Sequence, residues 1–183
     1  MKQPTIETER LIIRELLPSD AEGMFELDSN PKVHLYLGNN PVDSMEKIHE
    51  VITMIRKQYI DNGIGRWAVE EKATGKFVGW TGFKVNTELV INHMKDVFDL
   101  GYRFIKSAWG KGYASETAFA CMEYAFENLD FDPIYGAADV KNAASNHILK
   151  KVGMKFVNEF DFEGDPHYFY AITKAEWLAL NSK

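Results

Sequence analysis

Apolar positions recur with two different periods along this chain, and the switches between them predict its elements. Arg10–Arg14 (RLIIR) sets β-branched and apolar residues between charges, as a first strand does, and Pro18, Ser19 and Asp20 stop it. Ser19 followed by Glu22 has capping-box spacing, with Ala21, Met24 and Phe25 as the apolar face of a short first helix. Asp43 and Glu46 repeat that spacing ahead of Met45, Ile48, Val51, Ile52, Ile55 and Tyr59. Their three- and four-residue steps predict a long amphipathic helix ending near Asp61, Asn62 and Gly63.

Trp67–Glu71 and Lys76–Lys84 predict a hairpin that turns through Lys72, Ala73, Thr74 and Gly75, whereas Asn86–Lys95 shows neither period. Val97–Lys106 reads as a strand, and Gly101 inside it predicts a bulge. From Ala114 to Leu129, Ala114, Ala118, Cys121, Met122, Ala125, Phe126 and Leu129 line one face of a second long helix. Ile134–Val140 then reads as a strand and Ser145–Val152 as a short helix closed by Gly153. Lys155–Phe162 and His167–Ile172 form a final strand pair around Gly164, Asp165 and Pro166. The order β-α-α-β-β-β-α-β-α-β-β predicts an α/β fold with helices covering a largely central sheet.

A chain of 183 residues, 45% hydrophobic, suffices for one core, so residues 1–183 read as a single domain. The net charge of −6 argues against nucleic acid as a partner and suits amine-bearing substrates. Cys121 stands alone, which rules out an intramolecular disulfide and fits a reducing compartment. His34, His49, His93, His147 and His167 are dispersed and show no metal-ligand spacing. No apolar run approaches the roughly 18 residues that span a bilayer, and the opening MKQPTIETER lacks the apolar stretch of a signal peptide. A soluble, cytoplasmic protein without membrane association is the expectation.

Between the strand at Val97–Lys106 and the helix from Ala114 lies Trp109-Gly110-Lys111-Gly112-Tyr113-Ala114-Ser115. Two glycines let backbone approach a ligand closely, and the free N–H groups of a helix start sit at the positive end of its dipole, where anionic oxygen binds well. A plain connection is the alternative. Charge favours the first reading. Gly101–Ser115 holds Arg103, Lys106 and Lys111 without an acid, and Val140–Phe156 holds Lys141, Lys150, Lys151 and Lys155, again without one. Two such patches in an acidic chain point to a phosphorylated ligand, with a solvated basic surface as the other possibility. A nucleoside-triphosphate loop fails because Gly112 and Tyr113 follow Lys111. A dinucleotide fingerprint fails because Ser115 occupies the place of its third glycine.

The turn, the strand before it, Asn142-Ala143-Ala144-Ser145 and Lys150-Lys151-Val152-Gly153-Met154 together resemble the acetyl-CoA motifs of the GNAT superfamily of N-acetyltransferases. Thr8-Glu9-Arg10-Leu11 resembles the opening of the branch that acetylates ribosomal-protein N-termini, and the likeness extends to Lys174-Ala175-Glu176-Trp177. The resemblance implies a GNAT fold: a mixed central sheet, a splayed and bulged fourth strand, flanking helices and acetyl-CoA as co-substrate. It further implies that Leu100–Phe104 pairs with the pantetheine arm, lined by Tyr102, Arg103 and Phe104. Trp109 and Gly110 would lead into backbone N–H groups of Lys111, Gly112, Tyr113, Ala114 and Ser115 that hold the pyrophosphate. Asn142 would set its amide against the cofactor, and Leu149, Lys150 and Lys151 would lie along the arm. Two positions depart from the pattern. Trp109 replaces the Gln or Arg at the head of the turn, and Leu149 replaces the tyrosine that in many members protonates the leaving thiolate, so Ser145 or water is the candidate donor.

Amide formation needs an unprotonated amine, so a base must accept its proton before attack on the thioester. Asp99, just before the expected bulge and at an acidic position common in the branch, is the candidate. Its other reading is a hydrogen-bonded or solvent-facing strand carboxylate. A bulge N–H near Gly101 or Tyr102 is suited to polarising the carbonyl. Glu159, Asp161 and Glu163 alternate onto one strand face as rivals or as a solvated row. Cys121, on an apolar helix face, reads as a small buried hydrophobe rather than a nucleophile. The expected reaction moves an acetyl group from acetyl-CoA to a primary amine, first a protein N-terminus and second a small amine, without a metal. A non-catalytic acyl-CoA sensor and a homodimer stay open.

Overall fold

A computed structural model describes residues 2–87 and 90–181 and places eight strands in one sheet. They are β1 (Ile6–Glu7), β2 (Leu11–Arg14), β3 (Arg66–Glu71), β4 (Lys76–Asn86), β5 (Val97–Phe104), β6 (Ile134–Asp139), β7 (Lys155–Phe162) and β8 (Asp165–Ile172). The helices are α1 (Ala21–Asp28), α2 (Met45–Asp61), α3 (Tyr113–Asn128), α4 (Ala143–Lys151) and α5 (Lys174–Asn181). The spatial order is β1-β2-β3-β4-β5-β6-β8-β7, and every neighbouring pair is antiparallel except β5 and β6. β1 and α5 had no counterpart in the sequence pattern. Two residues are too few to show a period, and Trp177 is the buried residue of α5.

Helix starts follow local hydrogen bonding rather than the expected capping boxes. At α1, Asp20 rather than Ser19 does the work: its carboxylate accepts from the Leu17 amide at 2.8 Å and takes the Arg14 guanidinium at 2.9 Å on each oxygen. At α2 the Ser44 hydroxyl accepts from the Lys47 amide, while Asp43 pairs with the Lys47 ammonium. At α4 the Asn142 side chain accepts from the Ser145 amide at 3.1 Å, so the helix begins two residues before Ser145.

Alternation along β3, β4 and β5 sorts side chains onto two faces. On one, Trp67 meets Phe83 and the α3 residue Tyr124 edge-on, Phe83 stacks on Phe98 at 4.7 Å, and Thr81 touches Cys121 of α3 at 3.6 Å. On the other, Arg66, Trp80, Asp99 and Arg103 look towards α1, where Asp28 binds Arg103 at 2.6 Å. No described helix is long and apolar enough to cross a membrane.

Pairing of β4 with β5 runs from Gly79 opposite Phe104 to Asn86 opposite Val97 without a shift, so the expected bulge at Gly101 is absent. The glycine serves another purpose. A Cβ there would lie 2.6 Å from the Arg66 guanidinium, which crosses over Gly101 to reach Asp99. Register shifts fall instead between Val69 and Glu70 and between Phe156 and Asn158. The last hairpin turns through Glu163 and Gly164, with φ of 56° and 94°, which leaves Asp165 and Pro166 within β8.

Candidate active site

β5 and β6 share one register pair, Asp99 with Tyr135, and beyond it they part. The gap-facing backbone of Leu100–Phe104 therefore lies outside any ladder, although its other edge stays paired with β4. An extended ligand arm laid in this gap meets the polar groups of a free strand edge.

The glycine turn stands at the end of β5. The Trp109 indole N–H donates to the Phe104 carbonyl at 2.8 Å, tying the turn to the strand although the ring itself is 48% exposed. Gly110 and Gly112 have φ of 75° and 81°, a region that costs a side chain but not a glycine. Gly112 is the N-cap of α3 and offers no side-chain acceptor, so the first-turn amides of Tyr113, Ala114 and Ser115 remain uncapped at the positive end of a 16-residue helix.

Residues remote in sequence hold this turn. The Arg10 guanidinium binds Glu116 through Nε at 2.7 Å and Nη2 at 2.6 Å, and donates from Nη1 to the Lys111 carbonyl at 2.8 Å. Thr8 donates its hydroxyl to the same Glu116 at 2.5 Å. Burial alone would raise the Glu116 carboxyl, but the Thr8 and Arg10 contacts hold it below its ordinary value. On the other flank Glu71 accepts from the Tyr113 hydroxyl at 2.5 Å, from Thr74 at 2.9 Å and from the Lys111 ammonium at 3.2 Å. Those donors, Tyr113 first, hold its carboxyl down to about 2.

The family profile described as Acetyltransferase (GNAT) domain matches residues 10–155. The chain belongs to the GNAT acetyltransferase family. The uncharacterized N-acetyltransferase YoaA of Bacillus subtilis is 33% identical over 155 residues, covering 83% of each chain. The fold is shared with the spermidine N-acetyltransferase of Vibrio cholerae, solved with CoA and spermine: TM-score 0.75, 20% identity, 93% of this chain and 99% of that one covered. It is shared as well with the ribosomal-protein-S5-alanine acetyltransferase of Vibrio fischeri: TM-score 0.76, 17% identity, 96% and 99% covered. As a GNAT acetyltransferase the protein is an acetyl-CoA-dependent acyltransferase.

Within this GNAT domain the second wall of the gap is β6 and α4. Tyr102 of β5 reaches across it, its hydroxyl 3.0 Å from Ser145 Oγ and 3.1 Å from the Ser145 carbonyl. Burial pushes the Tyr102 phenol well above its usual range, opposed by the Ser145 contact. Asn142 is half-buried and its carbonyl oxygen is occupied by the cap bond, which leaves the NH2 end for other contacts. Lys150 and Lys151 are exposed. Leu149 is buried, and a Cβ on Gly136 would lie 2.7 Å from it, so this leucine packs onto β6 and cannot present a polar group to the gap. Phe104 is buried, and Arg103 is turned to the α1 face by Asp28, with its guanidinium 5.1 Å from the Trp80 ring.

Of the two readings left open for Asp99, the geometry supports the hydrogen-bonded strand carboxylate. One oxygen accepts from Arg66 at 2.7 Å and the other from Asn86 at 2.6 Å. Glu159 and Asp161 are exposed on the outer strand β7, at the edge of the sheet away from β5, while Glu163 is exposed in the turn after it, so the expected row of three on one strand face is not formed. Cys121 is buried, and desolvation pushes its thiol up to about 12, which removes thiolate reactivity. The clamp of Thr8, Arg10 and Glu116 and the role of Glu71 escaped the sequence reading. The TER opening was its one visible sign, and nothing in the sequence pointed to Glu71.

Proposed function

We propose that this GNAT enzyme acetylates the α-amino group of protein N-termini. Acetyl-CoA lies in the gap between β5 and β6 with its diphosphate on the Lys111–Ser115 amides. The observation that carries the donor site is the conjunction of a one-sided strand edge with an uncapped helix start at its end. The acceptor approaches on the α1 face. There the segment after α1 passes beside Arg103, with His34 Nε2 3.7 Å from the Asp28 carboxylate that binds Arg103, and it exposes Leu35 (58%) and Leu37 (43%). Exposed leucines beside the reacting strand suit the side chains of an extended peptide. The likeness of Thr8–Leu11 to the ribosomal-protein branch supports the same acceptor.

The chain's residues serve this reaction by placement. Free strand-edge backbone aligns the donor, the helix start binds its charge, and the Ser145 hydroxyl, backed by Tyr102, is the proton source for the departing thiolate. The amine's proton passes to water, because both Asp99 oxygens already have donors. The acidic chain, with its net charge of −6, favours a second reading in which a small polyamine is the acceptor. Incubation with acetyl-CoA and a panel of N-terminal peptides and small amines, followed by free-thiol release, decides between them. Turnover of peptides is expected, turnover of polyamines alone supports the second reading, and release with neither contradicts both.

A further inference from the structure

We propose that Arg10 is the positioning residue that aims the glycine turn at the donor's diphosphate, an inference that rests on reading this turn as the diphosphate site. A peptide plane points its C=O and the following N–H in opposite directions. The Lys111 carbonyl is drawn to Arg10 Nη1 at 2.8 Å, so the N–H of Gly112 is turned the other way. Without that contact the plane, set by ψ of Lys111 and φ of Gly112, is free to rotate on its Gly112 side, where φ is 81° and no Cβ restricts the turn. A rotated plane would present an oxygen to an anion in place of a donor.

Arg10 is itself fixed from three sides. Glu116 in the first turn of α3 takes its Nε and Nη2, Thr8 shares that carboxylate, and the guanidinium lies 4.7 Å from the Tyr113 ring centre. The fork spans a helix side chain and a turn carbonyl at once, which one ammonium cannot do. Glu116 also neutralises Arg10, so its contribution to the diphosphate is the orientation of the backbone rather than a free charge. Arg10 directly precedes β2, whose Leu11 and Ile13 are fully buried, and its side chain reaches the turn instead of the core.

The test is calorimetric binding of CoA and of pantetheine, which lacks the diphosphate and nucleotide, to wild type, Arg10→Gln and Arg10→Lys, with thermal melts of each. Both variants are expected to bind CoA about tenfold more weakly, the worth of one charge-assisted hydrogen bond, with pantetheine affinity unchanged. Arg10→Lys keeps a cation for Glu116 and provides a folded reading should Arg10→Gln unfold. Equal weakening of both ligands, or of neither, overturns the positioning role while leaving the diphosphate site intact. Wild type that binds CoA no better than pantetheine overturns the site itself.

Discussion

Tyr102 and Ser145 bring their hydroxyls to 3.0 Å across the gap between β5 and α4. A phenol from one wall thereby backs a hydroxyl from the other. Replacing Tyr102 with Phe leaves the ring in place and removes the hydrogen bond. The kcat is expected to fall about tenfold with the acetyl-CoA KM unchanged, and stability by about 1 kcal/mol. Steady-state kinetics with thiol detection read the first, denaturant melts the second. An unaltered kcat removes the pair from proton transfer.

Asp99→Asn separates a base from a strut. The Asp99 and Arg66 side chains are 19% and 12% exposed, so the substitution leaves a largely buried guanidinium without its counter-charge. A loss of about 1–3 kcal/mol is expected, a drop of several degrees in Tm. Turnover of the folded variant should stay within about tenfold of wild type and keep the same rise with pH, set by the acceptor amine. A loss of several hundredfold with stability intact would restore Asp99 as the base.

Glu71 makes the glycine turn sensitive to acid. Its folded carboxyl sits at about 2 against 4.5 for a free glutamate, so it adds stability that is fully present above about 4.5 and is lost as the pH falls towards 2. Glu176, also held to about 2, by Lys155 first, adds to the same window. Melting temperatures measured from pH 6 to 3 should fall less steeply in Glu71→Gln than in wild type. Parallel slopes contradict the assignment.

Leu149→Tyr, which installs the tyrosine that the resemblance led one to expect, is expected to destabilise the fold. Leu149 is 1% exposed and packed onto Gly136, and a larger ring there must push α4 from β6 at a cost of about 1–3 kcal/mol. Raised turnover without loss of stability would show that the pocket accommodates the ring.

The sequence pattern revealed the α/β order and the glycine turn because both are local. Periodicity marks α2 and α3, and two glycines mark the turn that precedes α3. What it missed depends on long-range contact. The bulge expected at Gly101 gave way to a glycine kept small by Arg66, 35 positions earlier and two strands away in the sheet. Arg10 and Glu116 meet across 106 positions, and Leu149 turns inward because Gly136 leaves room for it. The expected capping residues were off by one position at α1 and α2, and the start of α4 by two, since Ser, Asp and Asn neighbours compete for the same amide.

The donor site stands or falls on the backbone amides at the start of α3. In an amide NMR titration with CoA, the largest shifts are expected at Lys111, Gly112, Tyr113, Ala114 and Ser115, and pantetheine is expected to leave those five unmoved while shifting residues of Leu100–Phe104. CoA-induced shifts confined to other parts of the chain, with the five amides unperturbed, would contradict the site.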